Sequence, residues 1–154
     1  MRASRTIPPD AKVAVVHHRV PFYETDAMGI VHHSNYVRYL EIGRIRWLDE
    51  HDRPYRDWVA AGYHYATTRV EVEYLRSAVY DDVLEIQTWL EEVRGASLRI
   101  AYRLERDGEL LAIAATEHAL VDLEGRPRRI PREDRARLAA AAPAPRGSAR
   151  RPGA

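Results

Sequence analysis

The chain has 154 residues, 45% of them apolar, which is enough for one hydrophobic core and too few for two ordinary domains with a linker. Residues 132–154 hold six arginines against two acidic residues, so residues 1–131 carry 18 basic and 21 acidic groups. This balance argues against nucleic-acid binding, which needs a basic patch on the folded surface. The absence of cysteine excludes disulfides, thiolate catalysis and cysteine-bound zinc.

The sequence contains no stretch of about 18 apolar residues, so it predicts no transmembrane segment. The amino-terminal residues also lack the apolar core of a signal peptide. A soluble cytoplasmic protein is the expectation.

The first third of the chain predicts a strand, a loop and the start of a helix. Residues 12–20 are rich in β-branched side chains, which is typical of a strand. Residues 21–34 show no clear period and contain Gly29, so they predict an ordered loop. A helix is expected to begin with Ser34 or Asn35 as its N-cap, because a short side-chain oxygen can accept from the open amides of the first turn.

Residues 36–50 are apolar around most of the helix circumference, with only a narrow polar stripe of Arg38, Glu41 and Arg44. Such a helix is predicted to be buried on more than one side and to run through the middle of the fold. Glu41 is expected to pair with Arg38 or Arg44 at i,i+3 spacing. Gly43 inside the helix indicates a place where another backbone comes close.

A short second helix is predicted between Pro54 and Gly62. Alternating or β-branched segments then predict four strands that form an antiparallel meander, and Pro131 opens a short terminal helix that ends near Leu138. The four predicted strands are residues 68–74, 83–90, 97–104 and 110–122.

The fold class is therefore predicted to be α+β, with an antiparallel sheet of about five strands wrapped around one long central helix. The domain is expected to span residues 12–138. Residues 139–154 are only alanine, proline, arginine, glycine and serine, and this composition predicts a disordered tail.

Asp26 is a candidate for acid–base or nucleophilic chemistry because its loop leads into the helix entrance at His33 and Ser34. An open helix N-terminus presents amide donors that can hold a developing oxyanion. The Asp26 carboxylate and these amide donors together suit thioester hydrolysis. The alternative is that Asp26 only caps a turn through an Asx motif.

Residues 22–46 resemble the signature of the 4-hydroxybenzoyl-CoA thioesterase family of hotdog-fold proteins, especially its YbgC-like branch. The run Thr25-Asp26-Ala27-Met28-Gly29-Ile30-Val31-His32-His33-Ser34-Asn35-Tyr36 carries the resemblance, which extends over roughly residues 13–131. It implies a hotdog fold, hydrolysis of an acyl-CoA without metal or organic cofactor, and active sites at the interface of a homodimer or homotetramer.

The resemblance also implies roles for individual residues. Asp26 falls on the catalytic aspartate of the family, as nucleophile or general base, and His33 falls on a histidine near the thioester. Substrate binding is implied for Gly29, Val31, Ser34, Asn35, Tyr36, Arg94 and Ser97. Relatives often have tyrosine where this chain has Phe22 and His32, which puts any role of those hydroxyls in doubt.

Three other interpretations were weighed. A metal site is not indicated, since the histidine pairs His17-His18 and His32-His33 need not converge and no His-Glu-x-x-His pattern occurs. A hydratase or dehydratase is disfavoured. Related enzymes of that kind place a catalytic histidine near a proline, whereas this chain has no proline between Pro21 and Pro54. A hotdog protein that binds acyl-CoA or an acyl carrier protein without turnover stays the alternative function.

Overall fold

The structure is a computed structural model that describes residues 2–145. Five strands form one antiparallel sheet, and a 17-residue helix lies against it. No helix among residues 2–145 is long and apolar enough to cross a membrane. In chain order the elements are β1 (Val13–Arg19), a 3-10 helix (Phe22–Glu24), α1 (Asn35–His51), α2 (Tyr55–Ala60), β2 (Tyr63–Tyr74), β3 (Val83–Val93), β4 (Ser97–Arg106), β5 (Glu109–Asp122) and α3 (Arg132–Ala141). The α+β class is confirmed.

The order of the strands in the sheet is β1-β3-β4-β5-β2, and every neighbouring pair is antiparallel. Only β3, β4 and β5 form a meander, so the prediction that all four later strands do so is wrong. Alternation in a sequence predicts a strand but carries no information about which strand lies beside it. β2 pairs with β5 and has no strand on its other side, so it is an edge of the sheet.

Helix α1 is buried on one face only. Tyr39, Leu40 and Trp47 are fully buried, whereas Val37 and Ile42 are 45% and 39% exposed. The prediction of burial on more than one side is therefore wrong for the single chain. The helix packs against β1, β3 and β4, and the side of the sheet that carries β2 has no comparable contact with it.

Helix α3 packs back onto the domain. The Arg137 guanidinium contacts the Asp52 carboxylate (2.6 Å), and Leu138 is fully buried. The helix continues through Ala141, which is 4% exposed, and so extends beyond the domain boundary predicted at residue 138. The rest of the predicted tail, residues 146–154, lies outside the described residues.

Gly43 lies where α1 comes closest to the sheet. A Cβ atom at this position would overlap Thr88 Oγ1 and lie 3.0 Å from Ile86 Cγ2. The close approach is confirmed, but the neighbours are side chains of β3 rather than another backbone. Both side chains are β-branched and stiff at χ1, so they give way only at a cost.

We expect Gly43→Ala to lower the free energy of unfolding by about 1–3 kcal/mol, because overpacking outweighs the roughly 1 kcal/mol that alanine gains over glycine in helix propensity. Urea denaturation measures this change. In a Thr88→Ala background the same substitution should cost less, since the overlapping hydroxyl is gone. Equal losses in both backgrounds would show that this contact does not limit the position.

Candidate active site

Asp26 lies in a tight loop between the 3-10 helix and α1. Its amide donates to the Ile30 carbonyl (2.9 Å), and the Gly29 amide donates to its carbonyl (2.9 Å). Its Oδ1 accepts a hydrogen bond from the Met28 amide (2.9 Å), which forms an Asx turn. Its second carboxylate oxygen has no hydrogen-bond partner among residues 2–145, so it is available to a substrate or to water.

The loop is fixed from both sides. Gly29 has a φ of 77°, a left-handed conformation that a residue with a Cβ adopts only under strain. The next residues pair with the connection between β2 and β3, since the Val31 amide donates to the Ala78 carbonyl (2.8 Å) and Ile30 pairs with Val79. Gly29 and Val31 therefore position Asp26 through the backbone.

Glu24 anchors this loop from below. Its side chain is buried, and its Oε1 accepts hydrogen bonds from His18 Nε2 (2.7 Å) and from the Tyr39 hydroxyl (2.8 Å). Its backbone carbonyl accepts from Asn35 Nδ2 (2.8 Å) and from the His32 amide (2.9 Å). One residue thus joins β1, the loop and α1.

The start of α1 offers fewer open amides than the sequence predicted. The amides of residues 35–37 donate to carbonyls three residues before them, at 2.9–3.3 Å. The Ser34 amide donates to His32 Nδ1 (3.1 Å). The His33 amide has no hydrogen-bond partner within the described part of the chain, so it is the donor that this helix start presents to an oxyanion.

Helix α1 begins as predicted, with Ser34 at the N-cap position, but neither candidate side chain bonds to the first helical turn. Ser34 Oγ bonds with His32 Nδ1 (2.7 Å), and Asn35 donates to Glu24. Since the Ser34 amide also donates to His32 Nδ1, that nitrogen is an acceptor and Nε2 carries the ring proton. The His32 and His33 rings stack with centroids 4.2 Å apart.

A pocket of about 230 Å³ brings Asp26 and His33 together. Its wall includes Tyr36, and burial raises the pKa of this tyrosine, so its hydroxyl keeps its proton at neutral pH. The remaining lining residues are Met28, Ile30, Val31, Tyr74, Leu75, Arg76 and Ser77. The pocket therefore joins a carboxylate, a free amide and an apolar wall.

Three of the predicted binding residues do not line this pocket. Gly29, Ser34 and Asn35 are not part of its wall, and they shape the loop and the helix start instead. The same holds for Phe22 and His32, the two positions where relatives often have tyrosine. Phe22 is 75% exposed, and its ring lies against that of Tyr80 with the centroids 5.9 Å apart.

Arg94 and Ser97 lie far from Asp26 within the chain. Ser97 pairs with Ala119 of β5, which in turn pairs with Ala66 near the start of β2, whereas the pocket is at the opposite end of β2. The distance along the strand is about 25 Å. Their predicted contact with CoA requires a second chain and stays a prediction.

Tyr74, Arg76 and Ser77 line the pocket but were not predicted. The Tyr74 hydroxyl donates to the His33 carbonyl (2.9 Å) and so ties the end of β2 to the helix start. The only signal in the sequence was that Tyr74 ends an alternating segment. The contact between the end of β2 and the loop before α1 depends on tertiary structure.

The polar stripe of α1 is not paired internally as predicted. Glu41 is exposed and forms no ion pair with Arg38 or Arg44 among residues 2–145. Within the same residues, no three histidine, aspartate or glutamate side chains converge as metal ligands.

Comparisons with known proteins agree with this architecture. Residues 20–147 match the model of the thioesterase-like superfamily. The chain is 34% identical to the acyl-CoA thioester hydrolase YbgC of Escherichia coli O6:H1 over 116 residues, which covers 74% of this chain and 87% of the relative.

Two solved structures are also similar. A hypothetical protein of Thermus thermophilus is 32% identical, with a TM-score of 0.81 and coverage of 86% of this chain and 100% of the other. A hypothetical protein of Aquifex aeolicus is 36% identical, with a TM-score of 0.76 and coverage of 81% and 98%.

We expect Glu24→Ala to lower the free energy of unfolding by roughly 2–4 kcal/mol, because it leaves the His18 and Tyr39 donors without an acceptor. Chemical denaturation measures the loss. Glu24→Gln keeps the accepting oxygen and should lose less. Glu41→Ala, at an exposed position of α1, is the control and should change stability by no more than about 0.5 kcal/mol. A loss for Glu24→Ala as small as that of the control would contradict the anchoring role.

Proposed function

The chain belongs to the thioesterase-like superfamily, and we propose that it hydrolyses acyl-CoA thioesters with Asp26 as the catalytic carboxylate. Its fold is the hotdog fold, and it is an acyl-CoA thioester hydrolase. The observation that supports Asp26 is its unpaired carboxylate oxygen, which lies in the same pocket as His33, whose amide has no partner among the described residues.

The chemistry follows from these two groups. The carboxylate of Asp26 attacks the thioester carbonyl carbon, or takes a proton from a water that attacks it. Negative charge then develops on the carbonyl oxygen, and the His33 amide donates to it. The carbon–sulfur bond breaks and CoA leaves as a thiolate, which needs little help from an acid because a thiol is a stronger acid than an alcohol or amine. In the nucleophilic route an anhydride between Asp26 and the acyl group remains, and water hydrolyses it and restores the carboxylate. Both routes therefore consume one water and give a free acid and CoA.

The other lining residues serve binding. Val31, Tyr36 and Met28 offer apolar surface to the acyl group beside the thioester. Arg76 lines the same pocket. Its Nε is 3.8 Å from the Glu109 carboxylate, but its side chain is 65% exposed, so it can also meet an anionic part of CoA.

The protein acts as a homodimer in which two β2 edges pair antiparallel. β2 has no strand on its outer side among the described residues, and an unpaired edge is a template for a second strand. A two-fold axis near the middle of β2 places the first residues of one copy beside Tyr74 of the other. The Arg94 and Ser97 of the partner subunit then lie at the same end as Asp26, which accounts for their expected contact with CoA.

Association of two such dimers into a homotetramer and a cytoplasmic location remain part of the proposal. Both follow from the family resemblance, and the second also from the intracellular occurrence of CoA thioesters. No cofactor is needed for the reaction as written.

We expect Asp26→Asn to lower kcat for CoA release by about 10²–10⁴-fold, because the amide is neither a base nor a nucleophile. It retains the oxygen that accepts from Met28, so circular dichroism and the melting temperature should stay close to wild type. A panel of aromatic, short and long acyl-CoA thioesters tests both proteins with a thiol reagent. Asp49→Asn, at an exposed position of α1, is the control.

An Asp26→Asn protein as fast as wild type would show that the catalytic residue is another one. If wild type binds the thioesters and releases CoA from none of them, the chain is a binding protein without turnover.

We expect Val70→Arg to dissociate the dimer, because Val70 is 41% exposed near the middle of β2 and a charged, hydrated side chain there opposes pairing with a second strand. Sedimentation velocity measures the mass, and kcat/KM should fall with it. Val83→Arg, at an exposed valine of β3, should leave the mass unchanged. A wild-type monomer with full activity would contradict the paired edge.

A further inference from the structure

A second pocket, of about 210 Å³, lies between the C-terminal half of α1 and the sheet near the start of β2. Its apolar wall comes from Leu48, Leu98 and Ile100, and its polar groups include Arg44 and Tyr65. None of its residues takes part in the reaction described above. The pocket is large enough for several carbon atoms and is not purely apolar.

Arg44 has no carboxylate partner in this pocket. Its side chain is partly buried, and no acidic group of residues 2–145 lies within ion-pair distance of its guanidinium. Its interaction is with the neutral hydroxyl of Tyr102. A partly buried cation without a counter-ion is unfavourable by itself, so it favours an anionic ligand.

The hydroxyl of Tyr65 does not contribute to binding an anion. It is buried and has no hydrogen-bond partner among the described residues. Burial, and then the charges of Asp52 and Asp134, raise the pKa of Tyr65, so the hydroxyl lies in a region that already holds two carboxylates. Arg44 is therefore the group of this pocket that can meet an anionic ligand.

His118 forms a neutral wall of this pocket. Its Nδ1 bonds with Thr67 Oγ1 (3.1 Å) and its Nε2 with Thr116 Oγ1 (2.7 Å), so neither nitrogen is open to a ligand. Burial, and then the charge of Arg44, lower its pKa to about 3. The charged residues of the pocket wall are therefore the partly buried Arg44 and the exposed Glu41, and only Arg44 can attract an anion.

The position of this pocket depends on the paired edges. Within one chain, Tyr65 and Tyr74 lie at opposite ends of β2, about 30 Å apart along the strand. If β2 pairs over its full length with a copy of itself, the partner subunit's Tyr65 lies across from Val72. The second pocket of one subunit then lies next to the Asp26 pocket of the other.

We propose that this second pocket receives the far end of the acyl group held in the neighbouring subunit's active site, and that Arg44 selects acyl groups that end in a carboxylate. The inference rests on the proposed thioesterase function. It assigns the substrate class as CoA monothioesters of dicarboxylic acids, whose free carboxylate pairs with Arg44.

The test compares matched thioesters of equal chain length, with and without a terminal carboxylate: succinyl-, adipyl- and suberyl-CoA against butyryl-, hexanoyl- and octanoyl-CoA. We expect kcat/KM to favour the carboxylate form by at least about tenfold at one length, since a charge-assisted hydrogen bond contributes that order of discrimination. Preference for the plain acyl form at all three lengths, or no preference, overturns the inference.

Variants assign the preference to the pocket. Arg44→Met should reduce the ratio of the two kcat/KM values by at least about tenfold, and Arg44→Lys should reduce it less because the charge remains. Arg38→Met, at an exposed arginine of the same helix, is the matched control and should leave the ratio unchanged.

The ratio separates selection from a merely structural role, because a loosened fold slows both members of each pair alike. An unchanged ratio in Arg44→Met overturns the inference. Hydrolysis of hexanoyl-CoA without any preference for adipyl-CoA leaves the thioesterase function standing and rejects only the selectivity. Hydrolysis of none of the six compounds, or of a wider panel, rejects the proposed function itself.

Discussion

The carboxylate of Glu24 is the interaction on which the site depends. Its Oε1 holds His18 of β1 and Tyr39 of α1, while its backbone carbonyl holds the two ends of the turn that opens the helix. Because this residue lies two positions before Asp26, the loop has little freedom to move relative to the helix start. The relative placement of the Asp26 carboxylate and the His33 amide is thus set by hydrogen bonds beneath the pocket, while one oxygen of Asp26 and the His33 amide have no partner among residues 2–145.

The two interpretations of Asp26 drawn from the sequence are compatible. A carboxylate has two oxygens, and here one accepts from the Met28 amide while the other has no partner among residues 2–145. The Asx turn orients the side chain, so the bond that looks structural also aims the free oxygen at the pocket. A turn-capping aspartate is therefore no argument against catalysis when its second oxygen lines a cavity.

Local features could be predicted because they depend on residues that are neighbours in the sequence. The start of α1, the alternation of β2, the turn glycines and the role of Gly43 follow from spacing and propensity. Three other features depend on a partner distant in sequence and do not follow in this way. They are the crossing of β2 to the far edge of the sheet, the contact of Tyr74 with the helix start and the bond of Asn35 to Glu24. Much of the site could be predicted only through the family resemblance, which marks positions rather than contacts.

The apolar circumference of α1 and the unpaired edge of β2 have one common explanation. The sequence of α1 predicts burial on more than one side, yet one chain buries a single face and leaves Val37 and Ile42 exposed. β2 likewise ends the sheet with an open row of backbone groups. The homodimer proposed above would pair that open row and approach the uncovered flank of α1, so one assembly would explain both features. In the same assembly, two pockets that are far apart in one chain would lie next to each other, and a substrate would contact residues of both subunits.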